Sequence, residues 1–203
     1  MRAVLRFVAA VLIVSGVLLL GDAAATILWQ EPVSALVAER QQNRLKEALA
    51  EPQTVERVVR RKPLKGDAIG RIDIPALDVH EYVVEGTDLE DLRKGPGHYA
   101  DTPLPGERGT SAIAGHRTTY GAPFRDIDKL ERRQVISFDL PYGRYVYRVE
   151  RVKIVDDQDL SVLRPVRHDR LMLSACHPLY SAAQRIIVFA RAVRREPSQV
   201  RQT

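Results

Sequence analysis

Apolar positions change their spacing twice along this chain. Residues 7–20 are almost continuously apolar, and after Gly21 and Asp22 the run resumes over 23–29. A bilayer core takes ~20 apolar residues in a helix. Residues 3–21 supply that length, with Arg6 near enough to the end to reach outward. Residues 32–50 then place Leu36, Val37, Leu45 and Leu49 at helical spacing among Arg40, Arg44 and other polar positions, and Glu51-Pro52 reads as the stop. Residues 53–66 are polar and basic, including Arg60-Arg61-Lys62-Pro63. They read as a solvated spacer that can touch anionic headgroups.

From Ala68 the period shortens to that of strands. Apolar or alternating runs predict strands over 69–74, 79–84, 111–115, 134–139, 142–156, 170–176 and 185–192, with Pro75-Ala76-Leu77 as a turn. Thr87 followed by Glu90 has the form of a capping box and predicts a short helix over 87–93. Residues 94–106 read as a Gly/Pro loop and 123–130 as a helical turn. Many short strands and few helices argue a mainly antiparallel β-barrel or sandwich, closure being the arrangement that leaves no sheet edge. The resulting division is 1–29 cytoplasmic tip and membrane anchor, 30–65 helical and basic spacer, 66–194 folded β body and 195–203 polar tail.

Composition adds direction and compartment. The 203 residues suit one domain with accessory segments, and 45% hydrophobic content is ordinary for a chain with a core. The net charge of +5 is scattered, with no clustered patch or reader module, so no nucleic-acid partner is expected. A weak attraction to membrane or wall polymers remains. Arg2 and Arg6 precede the apolar span, which puts the N-terminus in the cytoplasm and the body outside, a single-pass membrane protein with Trp29 as an interfacial anchor. A signal peptide cleaved near Ala23-Ala24-Ala25 is the competing reading. Both export residues 30–203.

Chemistry rests on three residues. Cys176, the single cysteine, forms no disulfide within the chain; it ends one strand and precedes a loop. A nearby imidazolium or guanidinium makes such a thiol a nucleophile. Arg185 begins the next strand nine positions on, so an antiparallel turn returns it beside Cys176, where its donors suit an oxyanion. His116 leaves a buried strand after Gly115 and suits acid/base work. His177, next to the cysteine, points to the other face of the strand. His80, His98 and His168 read as solvated loop histidines. No HExxH, paired CxxC, GxxxxGK[ST] or GxGxxG occurs, so neither metal nor nucleotide cofactor is expected. The residues alone leave open a secreted cysteine endopeptidase, or a membrane-tethered, non-enzymatic β-barrel binding module.

The three segments together resemble a known family. Ala114-Gly115-His116-Arg117-Thr118-Thr119-Tyr120-Gly121-Ala122-Pro123-Phe124 resembles the histidine motif of actinobacterial sortases, class E in particular, and residues 95–106 are similar to the loop before it. Leu173-Ser174-Ala175-Cys176-His177-Pro178-Leu179-Tyr180-Ser181 and Gln184-Arg185-Ile186-Ile187-Val188 are similar to the cysteine strand and the arginine strand after it. The resemblance spans about residues 66–194. It implies an eight-stranded β-barrel, a membrane anchor and transpeptidation at a C-terminal sorting signal of the LPxTG or LAxTG kind. Cys176 would be nucleophile, His116 acid/base and Arg185 the oxyanion or substrate contact. The implied partners are surface proteins or pilins bearing that signal, and an amine acceptor such as lipid II or a peptidoglycan cross-bridge. Tyr120 and Ala175 would touch the signal. The family's TLxTC motif reads Met172-Leu173-Ser174-Ala175-Cys176 here, without either threonine, which bears on substrate preference rather than on the chemistry.

Overall fold

Residues 2–28 and 32–198 are described by a computed structural model. The apolar N-terminal run forms α1 (Arg2–Leu28), and its Arg2–Asp22 stretch, mean hydropathy 2.6 and nowhere buried, is long and apolar enough to cross a membrane. Trp29 and residues 199–203 of the tail lie outside the described residues. Next come α2 (Pro32–Ala50) and α3 (Pro52–Val59).

The segment expected as a solvated spacer is in part a docked helix. Pro52 opens α3 at its first turn, where a missing N–H costs nothing. Thr54 and Val58 of α3 are buried, and Arg57 makes two 2.7 Å bonds to the carboxylate of Asp67. Leu45 and Leu49 of α2 pack on Ala68 and Val84 of the barrel. Gln42 stitches α2 down further: its amide donates to Tyr82 O (3.1 Å) and Lys94 O (2.9 Å) and accepts from Tyr82 N (2.6 Å).

The body is a closed barrel of eight strands: β1 (Ala68–Ile74), β2 (Val79–Glu85), β3 (Gly97–His98), β4 (Gly109–Ala114), β5 (Val135–Leu140), β6 (Gly143–Asp156), β7 (Asp169–His177) and β8 (Gln184–Glu196). Around the barrel the order is β1-β2-β3-β4-β7-β8-β6-β5, and β5 pairs back to β1. Two of the contacts, β2–β3 and β4–β7, are parallel, so the sheet is less uniformly antiparallel than the strand pattern suggests. Closure leaves no edge strand. Inside, Ile72, Ile113, Phe138, Tyr147, Leu171 and Val188 belong to one buried core. Each such side chain removed from water contributes about 1.5–3 kcal/mol.

Two local expectations differ. The short helix α4 (Leu89–Leu92) is preceded by Asp88 at the N-cap, with no side-chain cap bond, rather than by a capping box on Thr87. His98 is not a solvated loop residue. It lies in β3, 1% exposed, with Nδ1 2.8 Å from Glu85 Oε2 and Nε2 3.1 Å from Pro103 O.

Candidate active site

Strand pairing brings the chemical residues together. In the antiparallel β7–β8 ladder Cys176 stands directly opposite Arg185, with Ala175 opposite Ile186 and His177 opposite Gln184. Directly opposed side chains on one face lie ~5 Å apart at Cβ. On the other side of β7 the parallel ladder runs Ala112↔Met172 and Ala114↔Ser174, and Gly115 N continues it with a 3.0 Å bond to Ser174 O. The next residue on β4's exit is His116, level with Cys176. Cys176 on β7, Arg185 on β8 and His116, two residues past the end of β4, therefore lie at one end of the barrel.

Side-chain alternation decides what faces what. Met172, Ser174 and Cys176 share the outer face of β7, whereas Leu171, Leu173 and Ala175 point into the main core. Ala175 is 4% exposed among core residues, so its methyl is turned away from the face that carries the thiol and offers no surface to a peptide there. Cys176 itself is half-buried.

His116 sits where its strand must end. A Cβ on Gly115 would overlap ring carbons of Phe124, and Phe124 N donates to His116 O at 3.0 Å, so a glycine lets the chain turn tightly under that ring. His116 Nε2 is buried without a hydrogen-bond partner among the described residues, and desolvation holds the imidazole below its ordinary pKa. Neutral imidazole is then the resting form at neutral pH. Tyr120 covers the ring, centroids 5.1 Å apart and tilted by 50°, and accepts a 3.1 Å bond from Arg93 Nε at its hydroxyl. Tyr120 and Ala122 adopt positive φ (53° and 45°), a conformation non-glycine residues hold only where the surroundings enforce it.

Arg185 donates through Nη1 to Ala182 O (2.8 Å) and Gln184 O (3.0 Å), which moors its guanidinium over the β7–β8 connection. Sequence reasoning passed over Arg117. It is 3% exposed, yet its guanidinium reaches Arg125 O (2.9 Å), Asp128 Oδ1 (2.7 Å), Cys176 O (3.4 Å) and His177 Nδ1 (3.4 Å). It ties the loop after His116 to the end of the cysteine strand. The adjacency of Arg117 to His116 was the only available signal, because two of its four partners are carbonyls and all four are assembled by the fold.

A Sortase domain model matches residues 72–193, which cover all three chemical residues and most of the barrel. The chain belongs to the sortase family. Sortases are cell-surface cysteine transpeptidases that cleave sorting signals of surface proteins and transfer the product to an amine, and this chain is such an enzyme. It is 36% identical over 137 residues to Sortase D of Bacillus subtilis (strain 168), covering 65% of this chain and 67% of that protein. Among solved structures, a Clostridium perfringens Sortase D5 transpeptidase superposes with a TM-score of 0.67 at 27% identity, covering 78% of this chain and 99% of that one. Sortase E1 from Streptomyces coelicolor, solved with a tripeptide in its active site, superposes at 0.61 with 29% identity, covering 65% of this sortase and 91% of that chain. Relatives of both the D and E designations thus share this sortase's barrel.

Proposed function

We propose that Cys176, His116 and Arg185 carry out transpeptidation at an LPxTG- or LAxTG-like sorting signal, cleaving between Thr and Gly. The observation that carries this reading is the register: Cys176 faces Arg185 across β7–β8, and the parallel β4–β7 ladder delivers His116 to the same level. Neutral His116 takes the thiol proton, and the sulfur adds to the Thr carbonyl. Arg185 donates to the resulting oxyanion, which lowers the barrier as preorganised donors do. The tetrahedral intermediate collapses by breaking the Thr–Gly C–N bond, and His116 returns its proton to the leaving Gly amine. Burial, which lowers the imidazole pKa, makes the imidazolium the stronger acid for that step. The thioacyl enzyme is then attacked by an acceptor amine, whose proton passes through His116 back to the departing sulfur.

The acceptor in this reading is an amine of lipid II, a peptidoglycan cross-bridge or a pilin. Tyr120, which covers His116, contacts the sorting signal. The Arg2–Asp22 helix is an uncleaved single-pass anchor, with Arg2 and Arg6 on the cytoplasmic side and the barrel outside.

The test uses the full chain in detergent, beside Cys176→Ala, with LAxTG and LPxTG reporter peptides and an oligoglycine amine. An amine-ligated product seen by mass spectrometry, and absent in the variant, is the expected result. Hydrolysis that no amine diverts would favour a cysteine endopeptidase instead.

A further inference from the structure

The loop that carries the chain away from His116 holds Tyr120, Gly121 and Ala122 in succession at positive φ (53°, 75° and 45°). Two non-glycine residues keep such a run only where neighbours enforce it. One neighbour is α2. A Cβ on Gly121 would lie 3.0 Å from the Ala38 methyl, so this helix abuts the loop directly. One turn on, along the same helix face, Gln42 donates to Lys94 O at 2.9 Å, and a side chain at Gly95 would overlap its amide. Arg93, next to Lys94, closes the circuit. Its Nε donates to the Tyr120 hydroxyl at 3.1 Å, and its guanidinium carbon lies 5.6 Å from the Tyr120 ring centroid.

We propose that Arg93 is a positioning residue for His116, acting through Tyr120, with α2 as the brace behind both. The inference rests on the role given to His116 above. Arg93 also pairs with Glu90 at 2.7 Å, so its charge already has a partner at the surface. What the bond to Tyr120 adds is direction. Held at its hydroxyl, the phenol ring lies across the imidazole, centroids 5.1 Å apart. Released, a half-buried tyrosine turns outward and water enters beside His116.

Two consequences distinguish positioning from mere support. Burial is what lowers the His116 pKa, so losing the tyrosine's cover returns it toward its ordinary value. The imidazole also loses a wall that fixes its direction toward Cys176, which acts on the chemical step more than on binding. The other titratable groups at this end of the barrel are Cys176 on β7, Arg185 on β8 and Arg117 on the loop, whose fork faces Asp128 and His177. None of them bonds Tyr120 among the described residues, so Arg93 and Tyr120 can be varied without breaking those contacts.

The experiment compares the full chain with Arg93→Met, Tyr120→Phe, Gln42→Leu and the Arg93→Met/Tyr120→Phe pair. One readout is kcat and KM on the reporter peptides. The other is the His116 titration followed by NMR at its Cε1–H, assigned by the signal lost in His116→Gln. Arg93→Met and Tyr120→Phe should each lower kcat about tenfold with little change in KM, and move the His116 midpoint up toward 6.5. Tyr120→Phe keeps the arginine's charge, so a rise there separates lost cover from a lost neighbouring cation. The pair should match either single variant, as two ends of one contact do. Gln42→Leu should move both readouts the same way by less, and no effect there overturns the brace assigned to α2. A midpoint unmoved in both single variants, a rise in Arg93→Met alone, additive losses, or a change confined to KM overturns the proposal. Where no peptide is turned over, the sorting-signal reading has failed. The titration then judges the positioning by itself, a shared rise supporting it and fixed midpoints overturning it.

Discussion

The buried guanidinium of Arg117 stands 3.4 Å from the carbonyl oxygen of Cys176, two residues that share no strand and are 59 positions apart. The same group holds Asp128 at 2.7 Å and Arg125 O at 2.9 Å. One side chain therefore sets the distance between the histidine loop and the cysteine strand. Arg117→Met should lower kcat on the order of tenfold to a hundredfold with a smaller change in KM, since small misplacements of reacting groups have effects of that size. Stability should fall by about 2–3 kcal/mol, less than for a fully buried pair because Asp128 is 43% exposed. Arg117→Lys keeps the charge without the fork and should fall between. Steady-state kinetics beside thermal unfolding check this; a loss of stability with kcat intact would leave Arg117 a structural residue only.

Gly115→Ala forces a methyl into the Phe124 ring. Overpacking of this kind costs about 1–3 kcal/mol, and here it also pushes on His116. Phe124→Leu, itself destabilising, should recover part of the activity when combined with Gly115→Ala. A double-mutant cycle reads that coupling, and strict additivity would mean the ring does not set the histidine's position.

His116 predicts the acid side of the pH profile. Its folded pKa lies below 6.5 because burial disfavours the imidazolium. The kcat/KM profile should therefore show an acid limb centred below pH 6.5, as the proton acceptor is lost. Stability follows the same group: the unfolded chain takes up the proton first, so stability falls as pH drops from 6.5 to the folded pKa and then levels. His116→Gln should remove that slope and lower turnover by about 10²–10⁴-fold. An acid limb centred well above 6.5 contradicts the assignment.

Burial pushes the Glu81 carboxyl up to about 7, against the opposing charge of His80. The folded state then keeps a proton that the unfolded chain releases near 4.5, so this group's contribution declines as pH rises from 4.5 to 7. Glu81→Gln copies the neutral form. It should stabilise by about 1–3 kcal/mol above pH 7, with the gain vanishing below pH 4.5. Chemical denaturation at pH 8 and at pH 4 makes the comparison.

What the chain discloses unaided depends on how local each feature is. The Cys176–Arg185 pairing was legible because both strands are long, apolar and joined by a short connection, so spacing alone predicts the return. β3 was not, since its two residues earn their place through parallel pairing with β2 and leave no period in a Gly/Pro-rich stretch. The helix after Pro52 was hidden for a related reason: only Thr54 and Val58 bury, too few to set a stripe among charges. The core position of Ala175 was available from alternation with Cys176, yet the family motif drew attention to the residue instead of its direction. Arg117 was illegible because two of its partners are carbonyls, which carry no residue type, and Asp128 and His177 reach it only in the fold.

The three contacts of Gln42 bear on how far this enzyme can act from its membrane. They fasten α2 to the barrel, and only residues 29–31 lie between α2 and the apolar helix. Three extended residues reach about 10 Å. In the anchored reading the barrel is therefore held close to the bilayer and works in a thin layer against its outer surface. Substrate and acceptor must both be delivered into that layer, which suits partners that are themselves tethered to lipid and disfavours those deep in the wall.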